Sequence, residues 1–388
     1  MSSSDAPTKT ISDYEAKLTE ADKTVASFAK DDTSFIALVR GFLRRNPTSI
    51  PALVLIISIA VFSVIADRFF SISTLSTILQ QITVTGIIAI AQTLVILTAG
   101  IDLSVSAILV VSALIMGNMA VNLGLNVPLS IAVGIFFGGL MGWINGILVA
   151  YVKLPPFIVT LGTLSVFTAL KLWYSHSESI RNVDINAKAP ALLWFGEGIK
   201  IVKSEDGSHG LTISGLGDLI RLGVTSEKIA PVASFVWGGA ALIILAAIIW
   251  YVLNHTAWGR HVHAIGDDPD AAMLSGIRSK QTLVSVYTLA GLICGFAAWV
   301  SIGRVGSVSP VSFDTVNLAS ITAVVIGGTS LFGGRGSIVG SVLGAMIVGV
   351  FITGLSLARV DDYWQQFAAG NLVIIAVALD QWLRRASQ

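Results

Sequence analysis

Long apolar segments recur along most of the chain and are separated by short polar turns. Ten of them approach the about 20 mostly apolar residues that a helix needs to cross the hydrocarbon layer of a membrane. They lie at residues 49–66, 74–98, 103–122, 127–150, 156–175, 232–253, 282–302, 315–332, 337–357 and 364–383. Thr322, Gly327 and Gly328 dilute the eighth segment, which is therefore expected to be shorter or partly re-entrant. The pattern predicts an all-α polytopic membrane protein.

Composition agrees with this prediction. Of the 388 residues, 54% are hydrophobic and 12% are charged, against roughly 25% charged residues in ordinary soluble chains. The mean hydropathy is +0.81. The net charge of +1 gives no reason to expect nucleic acid as a partner, whereas membrane lipid is expected around the apolar segments. The single cysteine, Cys294, excludes an internal disulfide.

The start of the chain differs from the rest. Residues 1–33 are polar and predict a mobile cytoplasmic tail without the apolar core of a signal peptide. Residues 34–48 mix apolar side chains with arginines, so a surface amphipathic helix and a disordered linker fit them equally well. The transmembrane domain is expected over 49–385, with an external loop at 176–231 and a cytoplasmic loop at 254–281.

Basic residues in the short loops predict the orientation, because such residues are retained on the cytoplasmic side. Arg40, Arg44 and Arg45 precede the first segment, which places the N-terminus in the cytoplasm. Ten crossings return the C-terminus to the same side. Most other short loops agree, and only Arg304 and Arg359 lie on the side that the rule disfavours.

Two runs of glycine recur every four residues, a spacing that places positions on one face of a helix. The runs are Gly134, Gly138, Gly142 and Gly146, and Gly336, Gly340 and Gly344. Glycine at such positions lets another helix backbone approach closely, so both runs predict tight helix packing. Matching the fourth segment with the ninth gives an inverted repeat of segments 2–5 and 7–10. A rival match between 97–104 and 326–334 pairs loops on the same side.

Motifs for catalysis are absent from the sequence. There is no Gly-Lys dipeptide of a P-loop, no zinc-protease motif and no nucleophile elbow, so neither an enzyme nor a resident cofactor or metal is expected. Uncharged polar residues inside the segments can exchange hydrogen bonds with a neutral polyol along a translocation path. They include Gln80, Gln92, Asn145, Thr160, Thr322 and Asn371. Hydrogen bonding between helices is the alternative role for each of them.

The loop after the sixth segment carries the signals of a short helix. Asp268 is a favourable N-cap and Pro269 a favourable first helical residue, while Asp270 suits the positive end of the helix dipole. Gly276 ends the helix after about two turns. Docking into a groove on another protein explains this helix better than a surface turn does, because Ala271, Ala272 and Leu274 are small or apolar.

Four stretches carry a resemblance to a known family: 100–104, 153–162, 259–276 and 326–337. The sequence resembles the permease subunits of ribose/xylose/fructose-type sugar ABC importers over about residues 50–385. Within that family it is most similar to the fructose-importer permeases, at 92–104, 258–270 and 380–384. It departs from them at Ser106, where glycine is usual, and in a longer external loop around 203–227.

The resemblance implies a homodimer in the bacterial inner membrane, a cytoplasmic ATP-binding subunit that holds ATP and Mg²⁺, and a periplasmic sugar-binding protein. It gives the helix at 268–276 the role of a coupling helix. The coupling residues are then Gly259, Arg260, Gly266, Asp267, Asp268, Pro269, Asp270, Ala271, Ala272, Leu274 and Gly276. The implied cargo is a monosaccharide, with fructose first and ribose or xylose next. An importer of branched-chain amino acids or a vitamin, and an ion-coupled secondary carrier, are the alternatives.

Overall fold

The computed structural model describes residues 48–204, 209–215, 220–222 and 229–385. The predicted tail at 1–33 and, apart from Thr48, the predicted surface segment at 34–48 lie outside the described residues. The helices are α1 (Ser49–Ile65), α2 (Ile72–Leu97), α3 (Val105–Gly117), α4 (Val127–Ala150), α5 (Pro156–Ser175), α6 (Asn182–Lys188), α7 (Trp237–His255), α8 (Ala257–Asp267), α9 (Pro269–Leu274), α10 (Ser279–Val305), α11 (Val316–Ile326), α12 (Ile338–Leu357) and α13 (Asp362–Arg385). A π-helical turn, Asn118–Asn122, extends α3, and a 3₁₀ helix, Pro190–Gly196, follows α6.

Among the residues that the structure describes, seven helices are long and apolar enough to cross a membrane, namely α2, α3 with its π-helical turn, α4, α5, α7, α10 and α12. Helix α1 has 17 residues, at the lower end of the range of about 17–25 for a crossing. Helix α11 has only 11 residues and rises about 16 Å at 1.5 Å per residue, roughly half of a hydrocarbon layer of about 30 Å. The eighth segment is therefore the shorter element that its composition indicated.

Helices α2 and α3 form the centre of the bundle. In their apolar stretches, 78% and 83% of the residues are buried, against 22% in α5 and in α7. Leu94 on α2 and Ile108 on α3 are fully buried, whereas α5 and α7 expose large apolar side chains such as Val166 and Ile243. The apolar outer surface of the bundle is the kind of surface that lipid covers.

The first glycine run brings α4 against α10. A Cβ atom on Gly138 would lie 2.6 Å from the carbonyl oxygen of Gly291 and 3.0 Å from the Cα of Gly295. Gly142 meets the same helix one turn away, at the backbone of Gly291 and Tyr287. Any side chain at these positions would force the two helices apart.

The remaining glycines of the two runs contact several different helices. Gly134 packs on α3 at Ser112, and Gly146 packs on α10. In the second run, Gly340 and Gly344 lie against the backbone carbonyls of Gly327 and Ala323 at the end of α11. Gly336 is not on the helix as expected, because α12 begins at Ile338. It lies in the preceding turn, where a Cβ atom would lie 2.5 Å from the Thr329 side chain.

Helix packing has the exchange pattern that an inverted repeat of segments 2–5 and 7–10 requires. Helix α4 packs on α10, and its counterpart α12 packs on α2. Helix α3 packs on α10 as α11 packs on α2. Within the halves, the α3–α4 and α3–α5 contacts match the α11–α12 and α11–α13 contacts. These reciprocal contacts favour the inverted repeat.

The segment at 176–231, predicted to be an external loop, contains most of a four-stranded sheet. Its strands are β1 (Gly198–Ser204), β2 (His209–Ile213), β3 (Ile220–Leu222) and β4 (Ile229–Val236), all antiparallel, in the order β3-β2-β1-β4. The expected sixth span, 232–253, accordingly begins later, because 232–236 complete β4 and the helix starts at Trp237. We call the end of the bundle that carries this sheet the sheet face, and the opposite end, reached through α7, the α9 face.

Tryptophan side chains fasten the sheet to the bundle. Trp194 of the 3₁₀ helix stacks on Trp237 with ring centroids 6.3 Å apart. The indole nitrogens donate to the backbone after β2, from Trp194 Nε1 to Gly215 O at 2.5 Å and from Trp237 Nε1 to Ser214 O at 2.8 Å. Gln80 on α2 donates to Ser234 O of β4 at 2.8 Å. The sheet is thereby held on α2 and α7.

Candidate functional site

The short helix α9 has the caps that its sequence predicts. Asp268 Oδ1 accepts hydrogen bonds from the backbone nitrogens of Asp270 and Ala271, both at 3.0 Å, and Pro269 is the first helical residue. At the other end, Ile277 N donates to Ala272 O at 3.1 Å, and Gly276 has a φ of +83°. This pair of features is a Schellman motif, for which glycine is favoured because it adopts a positive φ without strain. Both ends of α9 are therefore capped by residues that lie next to it in the sequence.

The side chains of α9 divide into an inner and an outer set. Ala272 is 4% exposed and packs on the chain itself, whereas Met273 and Leu274 are 62% and 87% exposed. Asp267, Asp268 and Asp270 are exposed as well. An apolar tip surrounded by carboxylates is a surface suited to docking. Ala272 does not belong to that tip, so a substitution there would disturb the chain's own packing.

Helix α8, which precedes α9, was not anticipated as a helix. Its hydroxyl cap is Thr256, which accepts from Gly259 N at 3.2 Å. Gly259 packs against the backbone of Leu253, so packing within the chain is sufficient to require glycine there. Arg260 is exposed on the same helix. Helix α8 connects the exposed tip of α9 to the interior of the bundle.

Three backbone segments meet at the inner end of α8. Gly266 lies against the carbonyl of Leu97 at the end of α2, where a side chain would collide. That carbonyl also accepts a hydrogen bond from Gly334 N at 3.0 Å. His263 Nδ1 lies 3.0 Å from Gly334 O. We call Leu97, His263, Gly266 and Gly334 the α8 junction.

The chain is irregular between α2 and α3, directly after the α8 junction. Ala99 has a φ of +59°, a left-handed conformation that costs a non-glycine residue about 1–2 kcal/mol. Asp102, 1% exposed, accepts at Oδ1 from Ser104 N at 2.8 Å and from Ser104 Oγ at 2.6 Å. We call residues 98–104 the α2–α3 break.

Three of the six proposed path residues converge on this break. Asn145 Nδ2 on α4 donates to Ser104 Oγ at 2.8 Å, and Thr160 Oγ1 on α5 donates to Ile101 O at 2.9 Å. Gln92 on α2 bonds both backbone groups of Asp102 at 3.1 and 3.2 Å, in the amide orientation assigned from hydrogen bonding. These buried groups satisfy the irregular backbone, which is the interhelical role left open by the sequence.

The other three proposed path residues lie apart. Gln80 supports the sheet, and Thr322 Oγ1 bonds Leu318 O of its own helix at 2.7 Å. Asn371 is exposed on α13 and bonds Phe367 O at 2.8 Å. The six residues therefore lie in separate parts of the described structure.

Two contacts of the site were not predicted from the sequence. His263 Nδ1 lies 3.0 Å from Gly334 O, although the two residues are 71 positions apart. Asn317 Nδ2 donates to Leu103 O of the break at 3.3 Å. Both contacts join residues far apart in the sequence, and no local motif indicates them. Within the described residues, no group of three or more metal-ligating side chains comes together.

Known proteins match nearly the whole chain. The profile of the family described as "Branched-chain amino acid transport system / permease component" matches residues 74–377. The fructose import permease of Rhizobium meliloti is 46% identical over 97% of this chain and 96% of its own length. The ribose import permease of Bacillus subtilis is 35% identical over 85% of this chain and 92% of its own length.

A third relative extends the same similarity. The ribose import permease of Escherichia coli strain K12 is 33% identical over 84% of this chain and 91% of its own length. No solved structure matches the chain significantly. The matched region contains the α2–α3 break, α8, α9 and the α8 junction.

Proposed function

The chain belongs to the family of transport-system permease components matched at residues 74–377, and from this premise we propose that it is the membrane permease of an ATP-driven monosaccharide importer. Fructose is the leading cargo, and ribose or xylose follow. The observation that carries the proposal is the 46% identity to a fructose import permease over 97% of the chain. The chain supplies the conduit and no chemistry of its own.

Helix α9 is the proposed point at which the energy of ATP is applied. Its tip of Met273 and Leu274 is exposed, and its caps make it rigid. In the proposed assembly, a cytoplasmic ATP-binding subunit with ATP and Mg²⁺ holds this tip. A second copy of the chain completes the pore, and a periplasmic sugar-binding protein delivers cargo to the sheet face. The α9 face and both termini are then cytoplasmic, in the bacterial inner membrane.

Most buried polar groups are uncharged, which supports a neutral cargo, and Asp102 and Lys171 are the exceptions among the described residues. The buried polar side chains of α2, α4 and α11 are amides and hydroxyls, such as Gln92, Asn145 and Thr322. Proton-coupled carriers usually hold ionisable groups in such positions, and these are few here. An ion-coupled carrier is therefore less well supported than an ATP-driven permease.

Cargo is tested by uptake into proteoliposomes that contain the chain with its ATP-binding subunit, with the binding protein outside and ATP inside. Labelled fructose should accumulate only with ATP, and unlabelled fructose should compete better than ribose or xylose. Uptake of leucine instead would support the amino-acid cargo that the family description names. Fructose uptake driven by a proton gradient, without ATP-binding subunit or ATP, would refute the ATP-driven mechanism.

The role of α9 is tested by replacing Leu274 with Arg. The side chain is 87% exposed, so the chain should fold and insert normally while co-purification of the ATP-binding subunit falls. Burying a leucine contributes about 1.5–3 kcal/mol, which corresponds to a loss of affinity of about tenfold or more. Leu222→Arg on the sheet face is the matched control, with a side chain 52% exposed. Equal co-purification of both variants would contradict the role of α9.

A further inference from the structure

A polar cavity opens on the sheet face, away from α9, the α8 junction and the α2–α3 break. It has a volume of about 440 Å³ and lies between the end of α3, the end of α5 and the segment that leads into α6. Small-molecule sites commonly have volumes of about 300–1,000 Å³. Asn118, Asn122, Tyr174, Glu178, Ser179 and Arg181 are among the residues that line it.

The wall formed by α3 has an unusual backbone. Asn118–Asn122 is a π-helical turn, and Leu123 N donates to Asn118 O at 3.0 Å across five residues. Such turns are rare and occur frequently at functional sites. Both asparagines line the cavity, because positions four apart lie on the same face of the turn.

The opposite wall is fixed to the bundle by backbone hydrogen bonds. Ile180 and Val308 exchange two of them, at 2.8 and 3.0 Å, and Asn182 Nδ2 donates to Gly306 O at 2.9 Å. The segment before α6 is therefore anchored to the end of α10. The cavity is preformed, so a ligand would not have to order this wall on binding.

The polar groups of the cavity are free to bind a ligand. Among the described residues, no hydrogen bond engages the side chains of Asn118, Asn122, Tyr174 or Ser179, all of which line the cavity. An amide and a hydroxyl both donate and accept. Each therefore matches the hydroxyl of a polyol, which also donates and accepts.

The charges of the cavity disfavour an anionic ligand. Arg181 Nε is already 3.2 Å from Asp184 Oδ2, and Glu178 adds a further carboxylate to the lining. We propose that this cavity is an entry subsite that binds the neutral sugar on its way from the periplasmic side into the pore. This inference rests on the proposed function and adds to it the place where the chain first holds its cargo.

The test uses cysteine labelling of the complete transporter, without binding protein, in vesicles whose sheet face is outward. Cys294 is fully buried, so the unmodified chain gives a low background. Asn122→Cys and, as a second variant, Ser179→Cys are labelled with a membrane-impermeant thiol reagent, with D-fructose or L-leucine as probes. Lys203→Cys on β1, which is exposed, is the control.

Fructose should slow the labelling of both cavity cysteines by the factor 1 + [L]/Kd. The rate should fall about fourfold when the fructose concentration is three times the dissociation constant for the cavity. It should leave the Lys203→Cys rate unchanged. If the unlabelled cysteine variants take up fructose in the complete transporter and no sugar slows the labelling at either position, the subsite is refuted while the proposed function stands. Protection by leucine, together with leucine uptake, would refute both the sugar subsite and the proposed cargo.

Discussion

Lys171 and Asp314 form an ion pair whose two partners differ sharply in burial. The Lys171 Nζ of α5 lies 2.5 Å from Asp314 Oδ1, in the segment before α11. The lysine side chain is 4% exposed and the aspartate side chain 57% exposed. We therefore expect the two single substitutions to have very different effects on stability.

The magnitude follows from which charge is left behind. Asp314→Asn leaves a buried ammonium without its carboxylate, and breaking a buried pair costs about 3–5 kcal/mol. Because water reaches the aspartate side of the pair, we expect the lower end, about 3 kcal/mol. Lys171→Met leaves a carboxylate that water solvates, so the cost should resemble that of an exposed pair, about 0–1 kcal/mol.

The assay is equilibrium unfolding of the purified chain in mixed detergent micelles, with the two single variants and the double variant. The double variant Lys171→Met/Asp314→Asn should recover most of the loss, because no charge is then buried unpaired. Two results would refute the reasoning. One is an equal loss in both single variants, and the other is a double variant less stable than Asp314→Asn alone.

Two further predictions concern the helix packing and the sheet. Gly142→Ala should destabilise the bundle by about 1–3 kcal/mol through overpacking, since its Cβ atom would collide with α10. Gly239→Ala on α7, where nothing lies within 4 Å, should be neutral or slightly stabilising in the same unfolding assay. Burial alone would raise the pKa of the Glu197 carboxyl, but hydrogen bonding from Ser214 and the charge of Lys200 lower it below 4.5. A lowered folded pKa stabilises the sheet above pH 4.5, and this contribution is lost as the pH falls through the folded value. Tryptophan fluorescence during acid titration should show this transition in the wild type but not in Glu197→Gln.

Local chemistry explains which parts of the structure were predictable. The cap, first turn and end of α9 depend on Asp268, Pro269 and Gly276, which lie within nine consecutive positions. The glycine run of α4 likewise identifies its own packing face. Such signals act within a few turns of one helix, so they are visible in the sequence.

The sheet and the contacts of the α2–α3 break were harder to predict, because they join residues that lie far apart in the sequence. Pairing of β1 with β4 joins Ile199 to Phe235, and Lys200 and Lys203 interrupt the apolar pattern of 199–203. At the break, Asn145 reaches Ser104 over 41 positions, and Thr160 reaches Ile101 over 59 positions. Residue type identified these polar groups as important, but only the tertiary fold decides that they support the backbone of the break.

The α8 junction gives the proposed ATP-driven movement a physical route. A force on the tip of α9 acts through α8 on Gly266. The backbone of Gly266 lies directly against the carbonyl of Leu97, so no flexible side chain separates them. The same carbonyl is bonded to Gly334 N, so a displacement of α8 must carry the end of α2 and the turn before α12 together or break that bond. Helix α2 belongs to the first half of the inverted repeat and α12 to the second. A movement of α8 therefore acts on both halves. Because Ala99 has a positive φ, we expect the α2–α3 break, directly beyond Leu97, to be where the backbone absorbs the displacement.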